Sequence, residues 1–411
     1  MISRRLVLAS GAASGAFGVA AQAAESSRQG ALPHSGENTP PGGASGSNPG
    51  PKNPPLRQQN AVSFAPPATD HGDLPGFKYS FATAHNRRQD GGWARQVTEK
   101  DFPIAKSIAG VNMRLTAGGI RELHWHLPAE WSYMLYGVAR ITAVDQDGRK
   151  FVADVKEGDL WYFPSGIPHS IQGLGPDGCE FLLAFDDGQF SEFDTFLITD
   201  WMAHTPKDVL AKNFAVSVST FDPIPKKELY IFQGRMPGPL QSDLSQTQAQ
   251  TVPRAFNFSL SAQPAKEAKG GTIRIADSRN FPVASTIAAA LVDVQPGGLR
   301  ELHWHPNADE WQYWISGKGR MTVFAGGARA RTMDFDAGDV GYVPRAFGHY
   351  VENTGDTTLR YLELFNSSHY ADVSLADWMA NTPRELVADH LHLDEKILAS
   401  LPQQKVLVAP G

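Results

Sequence analysis

The 411-residue chain contains a single cysteine, Cys179, so it cannot form an intrachain disulfide. Its formal net charge of −6 provides no basic surface for nucleic acid or an anionic membrane. No stretch after the N-terminus approaches the ~20 consecutive apolar residues that span a bilayer. These absences predict a protein without a membrane span or a nucleic-acid partner, whose fold depends on its hydrophobic core and any bound metal.

The first 23 residues have the pattern of an export signal, which we assign to residues 1–23. Residues 1–5 carry positive charge, residues 6–20 are mildly apolar, and Ala21-Gln22-Ala23 has the small-x-small form of a cleavage site. The pair Arg4-Arg5 resembles a twin-arginine signal, and a general secretory signal is the alternative. The low hydrophobicity favours the twin-arginine route. We therefore expect an exported protein, periplasmic or secreted.

Residues 24–58 are dominated by Ser, Gly, Pro, Asn and Gln. Such a segment buries too little apolar surface to offset its ordering entropy, so we predict a disordered linker.

The remaining chain is an internal duplication. His124 and His303 lie 179 residues apart, Gly158 and Gly338 lie 180 apart, and Trp201 and Trp378 lie 177 apart. Nearly constant offsets over such a span indicate a repeated domain. Turn residues and a Ser/Gln-rich run near 235–251 mark the boundary, so we predict domains at 59–235 and 236–411.

Each repeat alternates short β-prone runs with turn signals. This spacing is typical of an antiparallel sandwich or barrel. Thr205-Pro206 and Thr382-Pro383, each followed by an early acid, predict a helix with a threonine cap and proline at its first position. The fold prediction is mainly β: two tandem barrels with short flanking helices. In the first repeat the predicted strands are 139–144, 151–155, 160–163 and 180–185.

Histidines and a glutamate recur at matched spacing in both repeats. Two histidines at i and i+2 on a strand point to one face, and a nearby glutamate and a later histidine complete a metal site. Three imidazoles and one carboxylate suit a first-row divalent ion and leave two octahedral positions open, whereas the absence of thiolate disfavours structural zinc. The candidate ligands are His124, His126, Glu130 and His169 in the first repeat, and His303, His305, Glu310 and His349 in the second.

These spacings are the two sequence motifs of the cupin superfamily, and the chain resembles a bicupin of the oxalate decarboxylase family over roughly residues 60–400. Gly173 and Ala346 depart from the residues usual at their motif positions. The resemblance rests on Arg121–Trp131, Gly158–His169, Thr199–Pro206, Arg300–Trp311 and Gly348–Gly355.

The resemblance implies two tandem jelly-roll barrels, each with a Mn²⁺ ion, and a homo-oligomer, a hexamer in that family. It also implies O₂-dependent conversion of oxalate to formate and CO₂, mainly at the N-terminal site. The alternatives are an oxalate oxidase that produces H₂O₂ and CO₂, a metal-binding bicupin without catalytic activity, and a cupin that converts a sugar or another small acid. The eight intact ligands and paired arginines argue against the last two.

The repeats differ in one loop. From Phe185 to Trp201 there are sixteen positions, and from Phe365 to Trp378 there are thirteen, so the first repeat has three extra residues in 186–195. This polar insertion at a barrel mouth is either a lid or a solvated loop. By resemblance it is a lid in which Glu192 transfers protons. Phe193 and Asp194 differ from the Asn-Ser of the bacillus-type lid.

Two arginines precede the histidine motifs. Arg121 can bind and polarise a carboxylate. Its parity is opposite to that of His124, so a regular strand would point it away; a bulge near Gly118-Gly119 is our explanation of how it turns inward. In the second repeat Arg300 and Glu363 are the catalytic candidates, with a purely stabilising metal as the alternative.

Aromatic residues surround both motifs. We interpret Trp125, Trp131, Trp161, Trp304 and Trp311 as core and pocket-wall residues rather than electron carriers.

Overall fold

A computed structural model describes residues 53–411. The predicted signal, 1–23, and residues 24–52 of the predicted linker lie outside this range. The chain divides into two compact units, one ending at Asp70 and the other comprising His71–Gly411.

The described part of the first unit contains helices α1, Pro54–Gln59, and α2, Ala61–Phe64. Proline in the first turn of α1 and the Asn53 side chain, which accepts a hydrogen bond from the Leu56 amide at 3.3 Å, favour this start. The prediction of a linker without regular structure is therefore wrong for its last residues.

The paired strands of the second unit are antiparallel. Its first part contains β1 (Lys78–Ser80), β2 (Asn86–Gln89), β3 (Gly92–Val97), β4 (Ala109–Leu115), β5 (Gly119–Trp125), β6 (Glu130–Val144), β7 (Lys150–Lys156), β8 (Asp159–Phe163), β9 (His169–Gly173), β10 (Cys179–Phe185), β11 (Phe196–Leu197) and β12 (Ile231–Gln233).

The second part of this unit repeats the pattern. It contains β13 (Asn257–Ser259), β14 (Lys266–Ala268), β15 (Gly271–Ala276), β16 (Ala288–Val294), β17 (Leu299–Trp304), β18 (Glu310–Ser316), β19 (Lys318–Ala325), β20 (Arg329–Asp336), β21 (Asp339–Val343), β22 (Gly348–Asn353), β23 (Leu359–Phe365), β24 (Val373–Ser374) and β25 (Val408–Ala409).

Each repeat folds two facing sheets into a barrel. In the first barrel β2, β3, β4, β10, β6 and β8 are neighbours on one side, and β7, β6, β9, β5 and β11 on the other. The 15-residue β6 belongs to both sides and passes through Gly137 at φ 76°. In the second barrel the corresponding chain breaks at Gly317, φ 86°, into β18 and β19. The mainly β, two-barrel prediction is confirmed, and the four predicted strands of the first repeat lie in β6, β7, β8 and β10.

Short helices follow each barrel, as predicted. Their caps differ from the prediction: Pro206 and Pro383 are the N-cap residues, and the hydroxyls of Thr205 and Thr382 donate back to carbonyls of the preceding helices. Among residues 53–411 no helix has the length and apolarity needed to cross a bilayer. The helices are α3 (Ile198–Ala203), α4 (Lys207–Phe214), α5 (Leu240–Ser245), α6 (Leu375–Ala380), α7 (Arg384–Leu391) and α8 (Glu395–Ser400).

The two barrels exchange their leading strands. Strand β1 precedes the first barrel in sequence but pairs with β21 of the second, from Lys78 opposite Gly341 to Ser80 opposite Asp339. Strand β13 precedes the second barrel but pairs with β8 of the first. Each exchanged strand covers a sheet edge. Residues on each side of the predicted boundary near 235 therefore complete the barrel formed mainly by the other side.

Three clusters of buried side chains form the core: one inside each barrel and one shared between them. Trp131 and Trp311 lie in the shared cluster and Trp161 inside the first barrel, all fully buried, which confirms the core interpretation for these three. The partly buried Trp125 and Trp304 instead pack edge-on against Trp201 and Trp378 of the flanking helices.

The exchanged segment predicts a mutational effect far from its sequence neighbours. Phe77 is completely buried among core residues of the second barrel. Replacing it with alanine removes apolar burial and leaves a cavity, so Phe77→Ala should lower the free energy of unfolding by about 3–5 kcal/mol in urea titrations. Phe324→Ala, at a 54% exposed position in the same barrel, is the matched control. Equal effects of the two substitutions would contradict the assignment of Phe77 to the core.

Candidate metal centres and active site

A bulge in β5 brings an arginine and the metal-ligand motif to the same side of the strand. Arg121 lies opposite Ile171 and His124 opposite His169, so three steps along β5 match two along β9. The extra residue reverses the alternation of side chains, and Leu123 turns outward to solvent. The predicted bulge exists, but it lies between Arg121 and His124 rather than near Gly118-Gly119.

Strand β17 contains the same irregularity. Arg300 lies opposite Val351 and His303 opposite His349, again with one extra residue between them. Both arginines consequently point into their barrels and are buried.

The predicted ligands converge in each barrel. In each group one ligand atom from every residue lies within 4.8 Å of the others, and all of these residues are buried. The structure thus brings together His124, His126, Glu130 and His169, which we call site 1, and His303, His305, Glu310 and His349, which we call site 2.

Backbone carbonyls orient the imidazoles. In site 1 the Nδ1 atoms of His124, His126 and His169 lie 2.6, 2.7 and 2.8 Å from carbonyl oxygens. Because Nδ1 then carries the proton and donates it, Nε2 is left as the lone-pair donor in each ring. The Nδ1 atoms in site 2 make equivalent bonds to Glu301, Ala371 and Phe347.

The carboxylates are oriented in the same way. Oε1 of Glu130 accepts hydrogen bonds from the Ser132 hydroxyl at 3.1 Å and the Trp161 indole at 3.0 Å. Oε2 lies 3.2 Å from Nε2 of His126 and 3.3 Å from Nε2 of His169. In site 2, Gln312 replaces both donors and bonds Oε1 of Glu310 at 2.7 Å. One oxygen of each carboxylate is thus anchored while the other faces the imidazoles.

The donor atoms fit a divalent metal. Nε2 of His169, His303 and His349 is buried and has no hydrogen-bond partner among the described residues, which is costly unless an ion satisfies it. Burial, assisted by the charge of Arg121, lowers the pKa of His124 well below its usual value. Burial and Arg300 do the same for His303. These rings are therefore neutral, as metal ligation requires.

Arg121 and Glu192 meet beside site 1. Nη2 of Arg121 donates to Oε2 of Glu192 at 3.1 Å and to the Thr195 hydroxyl at 3.2 Å. The Tyr230 hydroxyl donates to the same Glu192 oxygen at 3.0 Å. Glu192 lies in a short 3-10 helix, Glu192–Asp194, and is only 4% exposed. The segment 186–195, which we call the lid, thus directs its acid into the protein, against Arg121.

Burial keeps the Tyr230 hydroxyl beside Glu192 in its hydrogen-bond-donating form. Burial and the negative charge of Glu192 raise the pKa of Tyr230 well above its usual value, so its hydroxyl remains a donor. Nη1 of Arg121 is buried and has no hydrogen-bond partner among residues 53–411. A buried charged donor beside the ligand cluster can receive an anionic substrate.

Site 2 surrounds its arginine differently. Nη2 of Arg300 donates to the Tyr370 hydroxyl and to the Asp372 carboxylate, each at 2.8 Å, and Asp372 is paired in turn with Lys405. Glu363 is buried with its Oε1 atom 3.6 Å from Nε of Arg300. Burial and the adjacent Glu310 carboxylate raise the pKa of Glu363. The predicted residues Arg300 and Glu363 therefore lie together, within a network whose partners come from the shorter loop and the C-terminal segment.

Several residues of both sites escaped sequence reasoning. Tyr230, Thr195, Tyr370 and Asp372 contact the arginines, but no spacing or motif singles them out. Tyr230 belongs to the connection after the first barrel. Its position is fixed by a hydrogen bond from its backbone amide to the buried Glu122 carboxylate. One sequence signal could have indicated some of them: the loop that follows Phe185 contains acidic residues, and the shorter loop that follows Phe365 contains Tyr370 and Asp372.

Two tandem barrels, each enclosing three histidines and one glutamate, define a bicupin with two metal centres. The cupin family model matches residues 79–222 and 258–398, and the chain belongs to this family.

Several relatives of this chain are named as oxalate decarboxylases. Oxalate decarboxylase OxdC of Bacillus subtilis is 55% identical over 355 residues, which are 86% of this chain and 92% of the relative. An oxalate decarboxylase of Arthroderma benhamiae is 39% identical over 388 residues, 87% of this chain and 89% of the relative. A solved structure of the B. subtilis enzyme, from work on its Mn(II) centres, has TM-score 0.86 and 54% identity and covers 88% of this chain and 96% of that one.

The ligand assignment predicts independent loss of the two ions. Because each ion depends on its own ligand set, His169→Ala should empty site 1 and His349→Ala should empty site 2, each lowering metal content from two ions per chain to one. Metal analysis of the purified protein by mass spectrometry measures this ratio. His204→Ala, at an exposed histidine outside both clusters, should retain both ions, and its failure to do so would show that the assay reports nonspecific loss.

Proposed function

We propose that this protein is a manganese- and O₂-dependent oxalate decarboxylase that converts oxalate to formate and CO₂ at site 1. One observation carries the proposal: Arg121 and Glu192 are hydrogen-bonded to each other, buried, beside a cluster of three histidines and a glutamate. The names of relatives that match most of the chain support the substrate and the reaction. The Mn(II) centres named for the B. subtilis structure support the metal.

Each residue of site 1 has a separate task. His124, His126, Glu130 and His169 would hold the manganese, which supplies charge neutralisation and one-electron chemistry when bound. Arg121 offers the unpartnered Nη1 to a substrate carboxylate. The lid excludes water, and the Tyr230 hydroxyl orients the Glu192 carboxylate for proton transfer.

Proton supply distinguishes the decarboxylase from its nearest alternative. Oxalate and one proton yield formate and carbon dioxide. Oxalate, dioxygen and two protons yield two molecules of carbon dioxide and hydrogen peroxide, which is the oxidase reaction. Formate requires a proton to reach carbon, and Glu192 is the buried lid acid that can deliver it. An acid held this close therefore favours decarboxylation.

We assign site 2 a mainly stabilising role. Nη1 of Arg300 donates to the Leu407 carbonyl and Nη2 to Tyr370 and Asp372, so both terminal nitrogens of its guanidinium are engaged within the protein. The loop that follows β23 is three residues shorter than the lid. Arg300 and Glu363 are thus better arranged to balance charge around a bound metal than to admit and release substrate.

We also propose that the chain self-associates, as the family resemblance implies. Large apolar side chains outside the barrels support this, including Leu127, Trp201 and Trp378, which are 74%, 66% and 60% exposed.

The reaction is tested by product analysis. Incubation of the manganese-loaded protein with oxalate should yield about one formate per oxalate and little peroxide, and peroxide without formate would favour the oxidase. Glu192→Gln removes the proton donor and should lower formate turnover by about 100-fold or more. Asp194→Asn is the matched control, since this neighbouring lid acid is exposed, and it should retain activity.

The same assay assigns the site. Loss of formate in Glu192→Gln with both metals retained supports turnover at site 1. Full activity in Glu192→Gln combined with loss in Glu363→Gln would place turnover at site 2 instead.

We propose further that residues 1–23 direct export by the twin-arginine route. Because that route requires the arginine pair, replacing Arg4-Arg5 with two lysines should leave the protein in the cytoplasm of a bacterial host. Cell fractionation and immunoblotting of the unprocessed and processed forms measure the outcome. Unchanged export of the Lys-Lys variant would indicate the general secretory route.

A further inference from the structure

The lid presents its two central residues in opposite directions. Glu192 points into the protein, whereas the neighbouring Phe193 is 61% exposed. The proposed chemistry uses only Glu192. A large aromatic ring on the outer side of the segment that carries Glu192 therefore needs another explanation.

Arg87, on β2, lies between this ring and the active site. Its guanidinium carbon is 4.7 Å from the ring centroid of Phe193 and 3.5 Å from that of Tyr230. A guanidinium within about 6 Å of an aromatic centroid is attracted by the negative face of the ring. Arg87 thus contacts the lid on one side and, on the other, the tyrosine whose hydroxyl binds Glu192.

The stack continues into site 1. The guanidinium carbon of Arg121 is 4.5 Å from the centroid of the same Tyr230 ring. Aromatic and cationic groups therefore alternate from the lid surface to the substrate-binding arginine, in the order Phe193, Arg87, Tyr230, Arg121.

Arg87 is itself anchored outside the lid. Nη2 donates to Oε1 of Glu228 at 2.5 Å, two residues before Tyr230. Its Nη1 atom is buried and has no hydrogen-bond partner among the described residues, so the aromatic rings provide the compensating contacts. Because Arg87 is bound to the barrel and to the segment before Tyr230, the Phe193 contact fastens the lid to a fixed point.

We propose that Arg87 and Phe193 are positioning residues that latch the lid closed and keep Glu192 at proton-transfer distance, thereby setting the ratio of formate to peroxide. This inference rests on the proposed role of Glu192 at site 1. Opening the latch increases the time that Glu192 spends away from the substrate. A larger share of the bound intermediates is then oxidised by O₂ instead of being protonated.

The test compares variants of the manganese-loaded full-length protein. Arg87→Gln removes the cation and Phe193→Leu removes the ring while retaining an apolar side chain. Each should raise the peroxide-to-formate ratio by about threefold to tenfold, the range of a partly exposed cation–π contact. Phe193→Tyr retains the ring and should behave like the parent. Arg88→Gln, at the exposed neighbouring arginine, is the matched control.

The double variant tests whether the two residues act through one contact. If they do, Arg87→Gln combined with Phe193→Leu should change the ratio no more than either substitution alone. Multiplied effects, or an unchanged ratio in Phe193→Leu, would overturn the latch. Phe193 is an exposed lid residue, so its substitution keeps the test valid even if Arg87→Gln impairs folding.

Failure of the latch is distinguishable from failure of the proposed function. An unchanged product ratio in the latch variants together with lost formate in Glu192→Gln removes only the latch. Full formate production by Glu192→Gln removes the site 1 assignment, whatever the latch variants do.

Discussion

One extra residue in a strand determines what each metal centre can do. Between Arg121 and His124, and again between Arg300 and His303, the strand advances three residues while its partner advances two. Without this bulge the arginine would face away from the ligands, and each site would hold a metal without an adjacent cation. With it, a buried guanidinium and neutral imidazoles occupy one side of the strand, as binding of a small dianion requires.

The bulge also connects the metal sites to distant segments. It displaces Glu122 from the regular alternation, and the buried carboxylate accepts hydrogen bonds from Thr199 in α3 and from the amides of Leu229 and Tyr230. In the second barrel the Glu301 carboxylate accepts hydrogen bonds from the Ser374 hydroxyl and the Val406 amide. The same irregularity therefore aims the arginine and fixes the chain that follows each barrel.

The two metal-ligand clusters contain the same residue types, but their arginines have different partners because the loops differ. In site 1 the arginine is bound by a lid acid, Glu192, and its terminal nitrogen Nη1 has no hydrogen-bond partner among the described residues. In site 2 the arginine is held by Tyr370 and Asp372, and Asp372 is neutralised further by Lys405. The two repeats supply similar ligand clusters, and the loop that is three residues longer places a buried acid, Glu192, against the arginine of the first.

The identity of the ligands and the class of fold are determined by the sequence itself. Turn signals, short β-prone runs and the repeated His-x-His motif are local patterns; they predicted two β-barrels, which the structure confirms, and eight candidate ligands, which it gathers into two buried clusters. Family resemblance added a predicted role for Glu192, which is proton transfer rather than metal binding. Even the need for a bulge was visible from the parity of Arg121, but the predicted position near Gly118-Gly119 was wrong, because only an extra residue between Arg121 and His124 can bring both side chains to the same face.

Other features were decided only by the tertiary structure. The exchange of β1 and β13, the approach of Tyr230 to Glu192, and the stacking of Arg87 against Phe193 join residues that are distant in sequence. No local propensity encodes such pairs, since they depend on which edges and surfaces the folded barrels bring together. The sequence determined which atoms bind the metal, and long-range packing determined which acid, aromatic ring and cation surround it.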